Sequence, residues 1–279
     1  MSQASLRVSH TVTSALEFIE SLPRGAYTTA RTVKGTDRIF ELRRHVDRLV
    51  NSSRPFLKGS LSDADVKRLT ISVIDELMKS STSLLNESDC KLTVVITIGD
   101  EEKGKDINAY AHLEAMKKRD ITRPIFVALG GPPRDNAVVK DSKWVRDRKA
   151  IVDDAAEDTL LLGKDGTVLL EGAQTNFFAV TSGGVVVTAN EGILEGTVRA
   201  AVIDACKDLT IPLKLEAPNV GEIDSFSEAF LASTSRLVMP IDILGSKTLP
   251  KERPITLKIA DWVRKHVEER SIAVRDLDV

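Results

Sequence analysis

Four short segments of this 279-residue chain carry side chains that could do chemistry. They contain Arg48 in His-Val-Asp-Arg-Leu, Lys140 after Ala-Val-Val, Glu171 in Leu-Glu-Gly-Ala-Gln-Thr-Asn, and Gly196 in Leu-Glu-Gly-Thr-Val-Arg. The last segment opens a predicted helix, where unpaired N–H groups and the positive dipole end attract an anion without any side chain. A cation, an amine, a carboxylate and an anion-binding helix start are each weak signals when taken alone.

In this order, and together with Ala232-Ser-Thr-Ser later in the chain, the segments resemble the fold-type IV pyridoxal-phosphate enzymes. That family includes branched-chain and D-amino-acid aminotransferases and aminodeoxychorismate lyase. The resemblance extends from about Ala26 to Ile241 and is clearest at the Glu-Gly-x-x-x-Asn and Leu-x-Gly-x-x-Arg segments. A plant subgroup of aminotransferase-like proteins looks closest, through residues 25–31 and 141–146.

The resemblance implies pyridoxal 5′-phosphate as the cofactor and assigns the two central groups. Lys140 would hold the cofactor as a Schiff base and, once displaced by substrate, would move the proton between Cα and the cofactor. Glu171 would pair with the pyridine nitrogen, which must stay protonated for the ring to act as an electron sink.

The resemblance also assigns the phosphate site. Arg48 would supply the cation from a helix that His45 helps to order, and Ser233 and Thr234 would contribute from a turn. The helix start would contribute Gly196, Thr197 and Val198 through backbone N–H groups. The family usually has Thr where Val198 stands, so one hydroxyl contact is lost while the backbone contacts remain.

Lys143 competes with Lys140 for the role of the reactive lysine. A lysine beside Asp-Ser at a helix start is usually a solvated surface residue. The stretch from Lys140 to Glu171 is a little shorter than in the family, and Lys143 would shorten it further. We therefore expect Lys140 to be the reactive lysine.

The substrate side is less determined. Tyr27 and Arg31 have the same parity on one predicted strand, so they can point to one face, and the resemblance places that strand beside the cofactor. Arg31 could bind a carboxylate, or it could face solvent or a partner chain. Ser235 is expected near the substrate, Arg236 is a further carboxylate candidate, and Trp144 lies near a position where some members carry Tyr.

Hydrophobic periodicity predicts a mixture of strands and helices. Helices are predicted at residues 44–52, from Ser62 or Asp63 onward, at 197–209, and around residues 257–267. Strands are predicted at residues 26–33, 38–42, 91–98, 107–116, 125–129, 159–162, 168–170, 176–181, 185–188, 212–215, 228–232 and 238–244. Three pairs of them are predicted to form hairpins: 26–33 with 38–42, 159–162 with 168–170 across an Asp165-Gly166 turn, and 176–181 with 185–188. Without a G-x-G-x-x-G turn or a regular βα alternation, a Rossmann domain or a TIM barrel fits poorly.

The expected fold is α/β of the mixed α+β kind, in the two-domain fold-type IV architecture. A smaller N-terminal α/β domain is expected at residues 1–119, a connection at 120–130, and a cofactor-binding domain at 131–279. The last domain should be the larger, with a mixed, barrel-like arrangement of strands and helices.

Composition sets further bounds. With 42% hydrophobic and 29% charged residues, the chain is typical of a globular protein. A formal net charge of -2 gives no basic field for nucleic acid, and no apolar run approaches the ~20 residues that a membrane span needs. No signal-peptide pattern is present, so a cytoplasmic location is expected. Cys90 and Cys206 are expected to be buried free thiols, with no metal site.

The first hypothesis is a homodimeric transaminase that moves an amino group from an amino acid to a 2-oxo acid. One alternative is β-elimination of the aminodeoxychorismate lyase type. Another is a catalytically silent relative that acts as a binding module, since Val198 and the segment before Arg24 depart from the family pattern. The amino donor and the choice between L- and D-amino acids stay open.

Overall fold

The computed structural model of the protein describes residues 14–98, 107–117 and 123–277, together with the backbone of residues 4–9. The helices are α1 (Ala15–Ser21), α2 (Leu42–Leu57), α3 (Asp63–Ser80), α4 (Thr82–Glu87), α5 (Lys143–Asp147), α6 (Thr197–Asp208) and α7 (Pro254–Lys265). Within these ranges, each helix is too short or too polar to cross a bilayer.

The strands, with short 3₁₀ turns between some of them, complete the secondary structure. They are β1 (Ala4–Ser9), β2 (Gly25–Arg31), β3 (Arg38–Phe40), β4 (Cys90–Ile98), β5 (Ile107–Ala115), β6 (Phe126–Leu129), β7 (Asp158–Leu162), β8 (Leu169–Gly172), β9 (Asn176–Thr181), β10 (Val186–Thr188), β11 (Leu213–Leu215), β12 (Phe226–Ser233), β13 (Leu237–Pro240), β14 (Ile243–Leu244), β15 (Lys247–Thr248) and β16 (Ser271–Ala273).

Contacts within the chain divide it into two units. The first unit contains the described residues up to Lys117, Val139–Asp147, and the residues from Val267 onward. The second contains residues 123–138 together with Arg148–His266. This grouping differs from the expected boundaries at 119, 130 and 131, since residues 139–147 and the end of the chain belong with the first unit. Hydrogen bonds between Gly25 and Ser142 and the pairing of β16 with β3 are the physical reasons.

The first unit is built on a four-stranded sheet in the order β1-β5-β4-β2, in which β1 and β5 are parallel and the other pairs antiparallel. Alternate residues of β4, such as Val94, share a core with Leu49 of α2 and with Val73 and Leu77 of α3. The other face of β4 carries Val95, which packs in a smaller cluster. Helices α2 and α3 therefore form one layer on this face of the sheet, and their packing fixes the position of α2 against β2.

Helices α2 and α3 follow from local sequence. Ser62 caps α3, and its side chain and that of Asp65 satisfy each other's backbone N–H groups, so the predicted start at Ser62 or Asp63 is confirmed. Helix α2 is longer than predicted because it continues through Pro55 to Leu57, whose side chain is buried. The predicted pairing of residues 26–33 with 38–42 is reduced to one bridge, Thr32 with Ile39, because β2 pairs with β4 along its length.

The second unit is built on a large sheet in the order β11-β10-β9-β8-β7-β6-β14-β15, to which β12 and β13 are joined through β9. Its core includes Phe177, Ala229, Leu231 and Ile241, all fully or almost fully buried. The predicted β7–β8 and β9–β10 antiparallel pairs and the helix that starts after Gly196 are confirmed. Strand β9 pairs with β8, β10 and β12 and is therefore the strand from which the functional segments of this unit are organised.

Candidate active site

Main-chain hydrogen bonds fasten the Lys140 segment to the start of β2. The Tyr27 N–H donates to the Lys140 carbonyl at 2.9 Å, and the Ser142 N–H donates to the Gly25 carbonyl at 2.9 Å. The Ser142 hydroxyl in turn accepts from the Gly25 N–H at 3.0 Å, while Lys140 N–H donates to Ser52 Oγ at 3.1 Å. The backbone of Lys140 is therefore held by both a strand and a helix.

The side chains of the two candidate lysines lie in different surroundings. The Lys140 ammonium lies over the ring of Tyr27, 4.5 Å from its centroid, and Tyr27 is buried. Lys143 is exposed on α5 and pairs with Asp147 at 2.5 Å, one helical turn along. Trp144 is half-buried on the same short helix. A cation held over an aromatic face is more desolvated than a surface ion pair.

Arg48 lies in a polar cluster inside the first unit. Its Nη2 donates to Thr28 Oγ1 at 2.9 Å, and Thr28 Oγ1 lies 3.0 Å from His45 Nδ1. Burial, Arg48 and Lys140, in that order, hold the pKa of His45 well below its ordinary 6.5. Burial also lowers the pKa of Arg48 to about 10, so the side chain stays cationic at neutral pH. Two positive charges and a neutral imidazole are thus brought together here.

Arg31 is engaged elsewhere on β2. Its Nη2 lies 3.2 Å from a carboxylate oxygen of Asp89, at the loop that precedes β4. The carboxylate that Arg31 contacts therefore comes from the protein itself.

Glu171 is a buried carboxylate in the second unit, only 3% exposed. It accepts hydrogen bonds from the Leu194 N–H at 3.0 Å and from Asn176 Nδ2 at 3.4 Å. Arg134, in the segment after β6, forms an ion pair with the other carboxylate oxygen at 3.3 Å. The protein thus holds the Glu171 carboxylate with hydrogen-bond donors on both of its oxygens.

Asn176 joins the Glu171 segment to the start of α6. Its Nδ2 also donates to the Leu194 carbonyl at 2.8 Å. The Asn176 side chain lies so close to Gly196 that a Cβ at position 196 would overlap Oδ1. Glu171 and Gly196 are 25 positions apart in the chain. The side-chain amide of Asn176 lies between their two segments and packs them against each other.

Helix α6 starts with Gly196 as its N-cap, followed by the buried residues Thr197 and Val198. Arg199 is also buried, and its guanidinium donates to the Ala189 carbonyl at 2.9 Å. Burial lowers the pKa of Arg199, while the negative charges of Glu195 and Glu171 oppose that shift. The first turn of the helix thus offers backbone N–H groups next to a carboxylate and a cation.

The turn with Ser233, Thr234 and Ser235 connects β12 to β13. In the register of the sheet, Glu171 pairs with Asn176, and Asn176 pairs with Ala232, which directly precedes this turn. Arg236 closes the turn by donating its N–H to Ser233 Oγ at 3.3 Å and pairing with Glu157 at 2.7 Å. The charge of Arg236 is therefore opposed by Glu157.

Within each unit, the predicted site residues fall into a group. The first unit brings together Tyr27, Arg48 and Lys140, with Arg31 paired to Asp89 instead. In the second unit Asn176 contacts Glu171 and packs against Gly196. Thr197 and Val198 follow Gly196 in α6, and Ser233, Thr234 and Ser235 follow Ala232, the residue that pairs with Asn176.

Sequence reasoning missed several residues that hold these groups. Thr28, Ser52 and Arg134 gave no signal, since Thr, Ser and Arg are common on strands, helices and loops. Asn176 gave a signal, since it is the Asn of the Glu-Gly-x-x-x-Asn segment and the polar residue that opens an otherwise apolar strand, Asn-Phe-Phe-Ala-Val. A buried polar residue is more informative than a buried apolar one.

Comparisons with known proteins show the family to which the chain is similar. The amino-transferase class IV family matches residues 25–244. The chain is 29% identical over 244 residues to a probable branched-chain-amino-acid aminotransferase of Thermotoga maritima, covering 85% of this chain and 83% of that protein. It is 23% identical over 258 residues to a protein of the same description from Synechocystis, with 87% and 81% covered.

Solved structures show the same fold. A branched-chain aminotransferase from Thermoproteus uzoniensis with norvaline superposes with a TM-score of 0.73 at 21% identity, covering 95% of each chain. A hypothetical aminotransferase from Mycobacterium tuberculosis in a PLP-bound form superposes with a TM-score of 0.74 at 19% identity, covering 94% of this chain and 95% of that one. The expected mixed α/β, fold-type IV architecture is confirmed. Because the family match covers well over half of its length, the chain belongs to the class IV aminotransferase family of enzymes.

Proposed function

We propose that the protein is a pyridoxal-phosphate-dependent transaminase in which Lys140 is the lysine that carries the cofactor. The observation that carries the proposal is the packing of Glu171 and the start of α6 against Asn176. A buried carboxylate for a ring nitrogen and a helix start for a phosphate are the two fixed points that such a cofactor requires.

The residue types present fit the cofactor. The first unit offers a cationic Arg48, and both it and the Lys140 amine lie near enough to His45 to lower its pKa. The second unit offers the Glu171 carboxylate, the N–H groups of Gly196, Thr197 and Val198, and the turn hydroxyls of Ser233 and Thr234. Gly196 cannot bear a side chain without displacing Asn176, which supports a role for the close backbone approach at this point.

Each residue then has a distinct task. When bound, the cofactor supplies an electron-accepting ring that makes the hydrogen on the substrate's Cα acidic. The Lys140 Nζ would take that proton from Cα as a general base and would then donate it to the cofactor. Glu171 would face the ring nitrogen with its carboxylate, and Arg48 would hold the phosphate as a cation. The Tyr27 ring lies 4.5 Å from the Lys140 Nζ and holds the amine in place beside β2.

The substrates we propose are an amino acid and a 2-oxo acid. Two curated relatives named as probable branched-chain-amino-acid aminotransferases make branched-chain amino acids the first donors to test. Tyr27 and Ser235 are proposed to contact the substrate. Because Arg31 is paired with Asp89, we propose it as a substrate ligand only if that ion pair opens.

We further propose a homodimer, on the resemblance alone. Size-exclusion chromatography with light scattering measures this directly. A single species of twice the 30.5 kDa chain mass supports the dimer, and a monomer contradicts it.

Reductive labelling tests the enzyme proposal. The purified protein is mixed with pyridoxal 5′-phosphate, reduced with borohydride, digested, and mapped by mass spectrometry to find the lysine that bears the pyridoxyl group. We expect the label on Lys140, and we expect Lys143→Met to retain it. A label on Lys143 would shift the active site to α5. The absence of any labelled lysine would contradict the transaminase and favour a silent, binding relative.

A further inference from the structure

The Thr28 hydroxyl lies between the guanidinium of Arg48 and the imidazole of His45. Arg48 Nη2 is 2.9 Å from Thr28 Oγ1, and Thr28 Oγ1 is 3.0 Å from His45 Nδ1, with 3.3 Å between Arg48 Nη2 and His45 Nδ1. Thr28 is 2% exposed and His45 is 1% exposed. Three polar atoms from β2 and α2 therefore form a closed triangle inside the first unit.

The chemistry of the three groups fixes the direction of each hydrogen bond. A guanidinium only donates, so Thr28 Oγ1 accepts from Arg48. For the same reason His45 Nδ1 is the acceptor in its 3.3 Å contact with Arg48 Nη2, so Nδ1 carries no proton and the Thr28 hydroxyl donates to it. His45 is thus a neutral imidazole protonated at Nε2, in agreement with the low pKa that burial and the neighbouring cations give it.

We propose that Thr28 is a positioning residue that aims the Arg48 guanidinium at the cofactor phosphate, with His45 fixing the hydroxyl from behind. The inference rests on the proposed function, because it takes Arg48 as the phosphate cation. An arginine side chain has large rotamer freedom, and a group held in place before binding loses less entropy when its ligand arrives. Thr28 therefore acts on the phosphate end of the ligand alone.

This assignment predicts discrimination between two ligands that differ only in the phosphate. Pyridoxal 5′-phosphate engages Arg48, whereas pyridoxal lacks the anion and gains nothing from an aimed guanidinium. A residue that merely supports the fold would affect both ligands equally. The ratio of the two dissociation constants isolates the positioning effect.

The test uses the isosteric variant Thr28→Val with Thr93→Val as its control. Thr93 lies on the neighbouring strand β4, is fully buried, and has an Oγ1 without a hydrogen-bond partner within the described ranges. The dissociation constants of pyridoxal 5′-phosphate and pyridoxal are measured by absorbance titration of the full-length protein. Because hydrogen bonds to charged groups are the stronger ones, we expect Thr28→Val to bind the phosphorylated ligand about tenfold more weakly.

Binding of pyridoxal to Thr28→Val should change by less than about twofold, and Thr93→Val should leave both constants unchanged. Thr28→Ser keeps the hydroxyl and should restore most of the phosphate preference, which also guards against a folding defect in Thr28→Val.

Two results would overturn the proposal. If wild-type protein binds pyridoxal 5′-phosphate with Lys140 labelled, but Thr28→Val loses affinity for both ligands equally or for neither, only the positioning role fails. If wild-type protein binds no pyridoxal 5′-phosphate, the proposed function fails and the positioning role fails with it.

Discussion

The backbone N–H of Lys140 donates to the hydroxyl of Ser52, 3.1 Å away on α2. Ser52 follows Arg48 by four residues on the same helix, so the two side chains lie on one face. A single rigid helix therefore sets the position of both the Lys140 backbone and the Arg48 guanidinium.

Ser52→Ala should disturb the reactive lysine, and Ser53→Ala should not. Both serines are buried neighbours on α2, but Ser53 Oγ donates to the Leu49 carbonyl of its own helix at 2.8 Å. Each variant should lose about 1 kcal/mol of unfolding free energy, the usual worth of one hydrogen bond. Only Ser52→Ala should slow labelling of Lys140 by pyridoxal 5′-phosphate and borohydride. Equal labelling rates in the two variants would contradict the link to Lys140.

Gly196→Ala should weaken the second unit where Asn176 packs. A methyl group at position 196 overlaps Asn176 Oδ1, whereas one at Gly183 meets only the Thr181 hydroxyl at 3.8 Å. Overpacking of this kind costs roughly 1–3 kcal/mol, so the melting temperature should fall in Gly196→Ala but stay within error in Gly183→Ala. Cofactor affinity should fall with it, since Asn176 also holds Leu194. A Gly196→Ala protein with wild-type melting and affinity would show that Asn176 moves aside without cost.

Two ion pairs should differ sharply in their effect on stability. The side chains of Arg134 and Glu171 are 8% and 4% exposed, whereas those of Lys143 and Asp147 are 53% and 42% exposed. Arg134→Gln leaves a buried carboxylate without its cation and should cost about 3 kcal/mol in urea unfolding. Lys143→Gln removes a surface pair and should cost less than about 1 kcal/mol. Similar costs for the two variants would mean that Arg134 does not stabilise Glu171.

The neutral state of His45 predicts how stability changes with pH. Its folded pKa lies well below the ordinary 6.5, so the unfolded chain binds the proton more readily. The stabilising contribution is complete above pH 6.5 and is lost as the pH falls toward the folded pKa, by up to about 1.4 kcal/mol per pH unit.

Urea unfolding at several pH values from 7.5 down to 5 measures this contribution. His45→Asn keeps an acceptor but cannot titrate, so its stability should fall less steeply than that of the wild type. His266→Asn is the control, because His266 is only half-buried, stacked on Trp262. If His45→Asn and the wild type lose stability at the same rate, His45 is not the group responsible.

Local signals in the sequence predicted much of the fold. The Ser62 cap of α3 and the Asp165-Gly166 turn between β7 and β8 depend on residues close together in the chain, and both are confirmed. Helix α1 was not predicted, since seven residues carry little periodicity; it is defined by Phe18, which stacks on His112 at 4.9 Å. A contact between residues so far apart in the sequence cannot be predicted from the spacing of neighbouring residues.

In the candidate site, too, local motifs could be recognised in the sequence, whereas long-range contacts could not. Glu171 and Gly196 stood out because the Glu-Gly-x-x-x-Asn and Leu-x-Gly-x-x-Arg segments resemble those of a known family, although the roles of both residues stay predictions. The Arg31–Asp89 pair, 58 positions apart, and the Gly25–Ser142 bonds, 117 positions apart, could not be read from the sequence. Each depends on which strand becomes the neighbour of β2, and that is decided by packing across the whole first unit.

Strand β16 pairs with β3, and beside it Arg270 forms an ion pair with Glu41, a residue 229 positions earlier. The first unit thus includes residues that a ribosome adds only after the entire second unit has been made. Closing so long a loop is slow, since contacts of high sequence separation form late. During synthesis every residue of the second unit is made before β16 and Arg270, so β3 and the buried Glu41 lack these partners until then. The nascent chain therefore passes through a stage in which the second unit has been synthesised but the first unit still lacks β16. At that stage the first unit is exposed to chaperones and proteases.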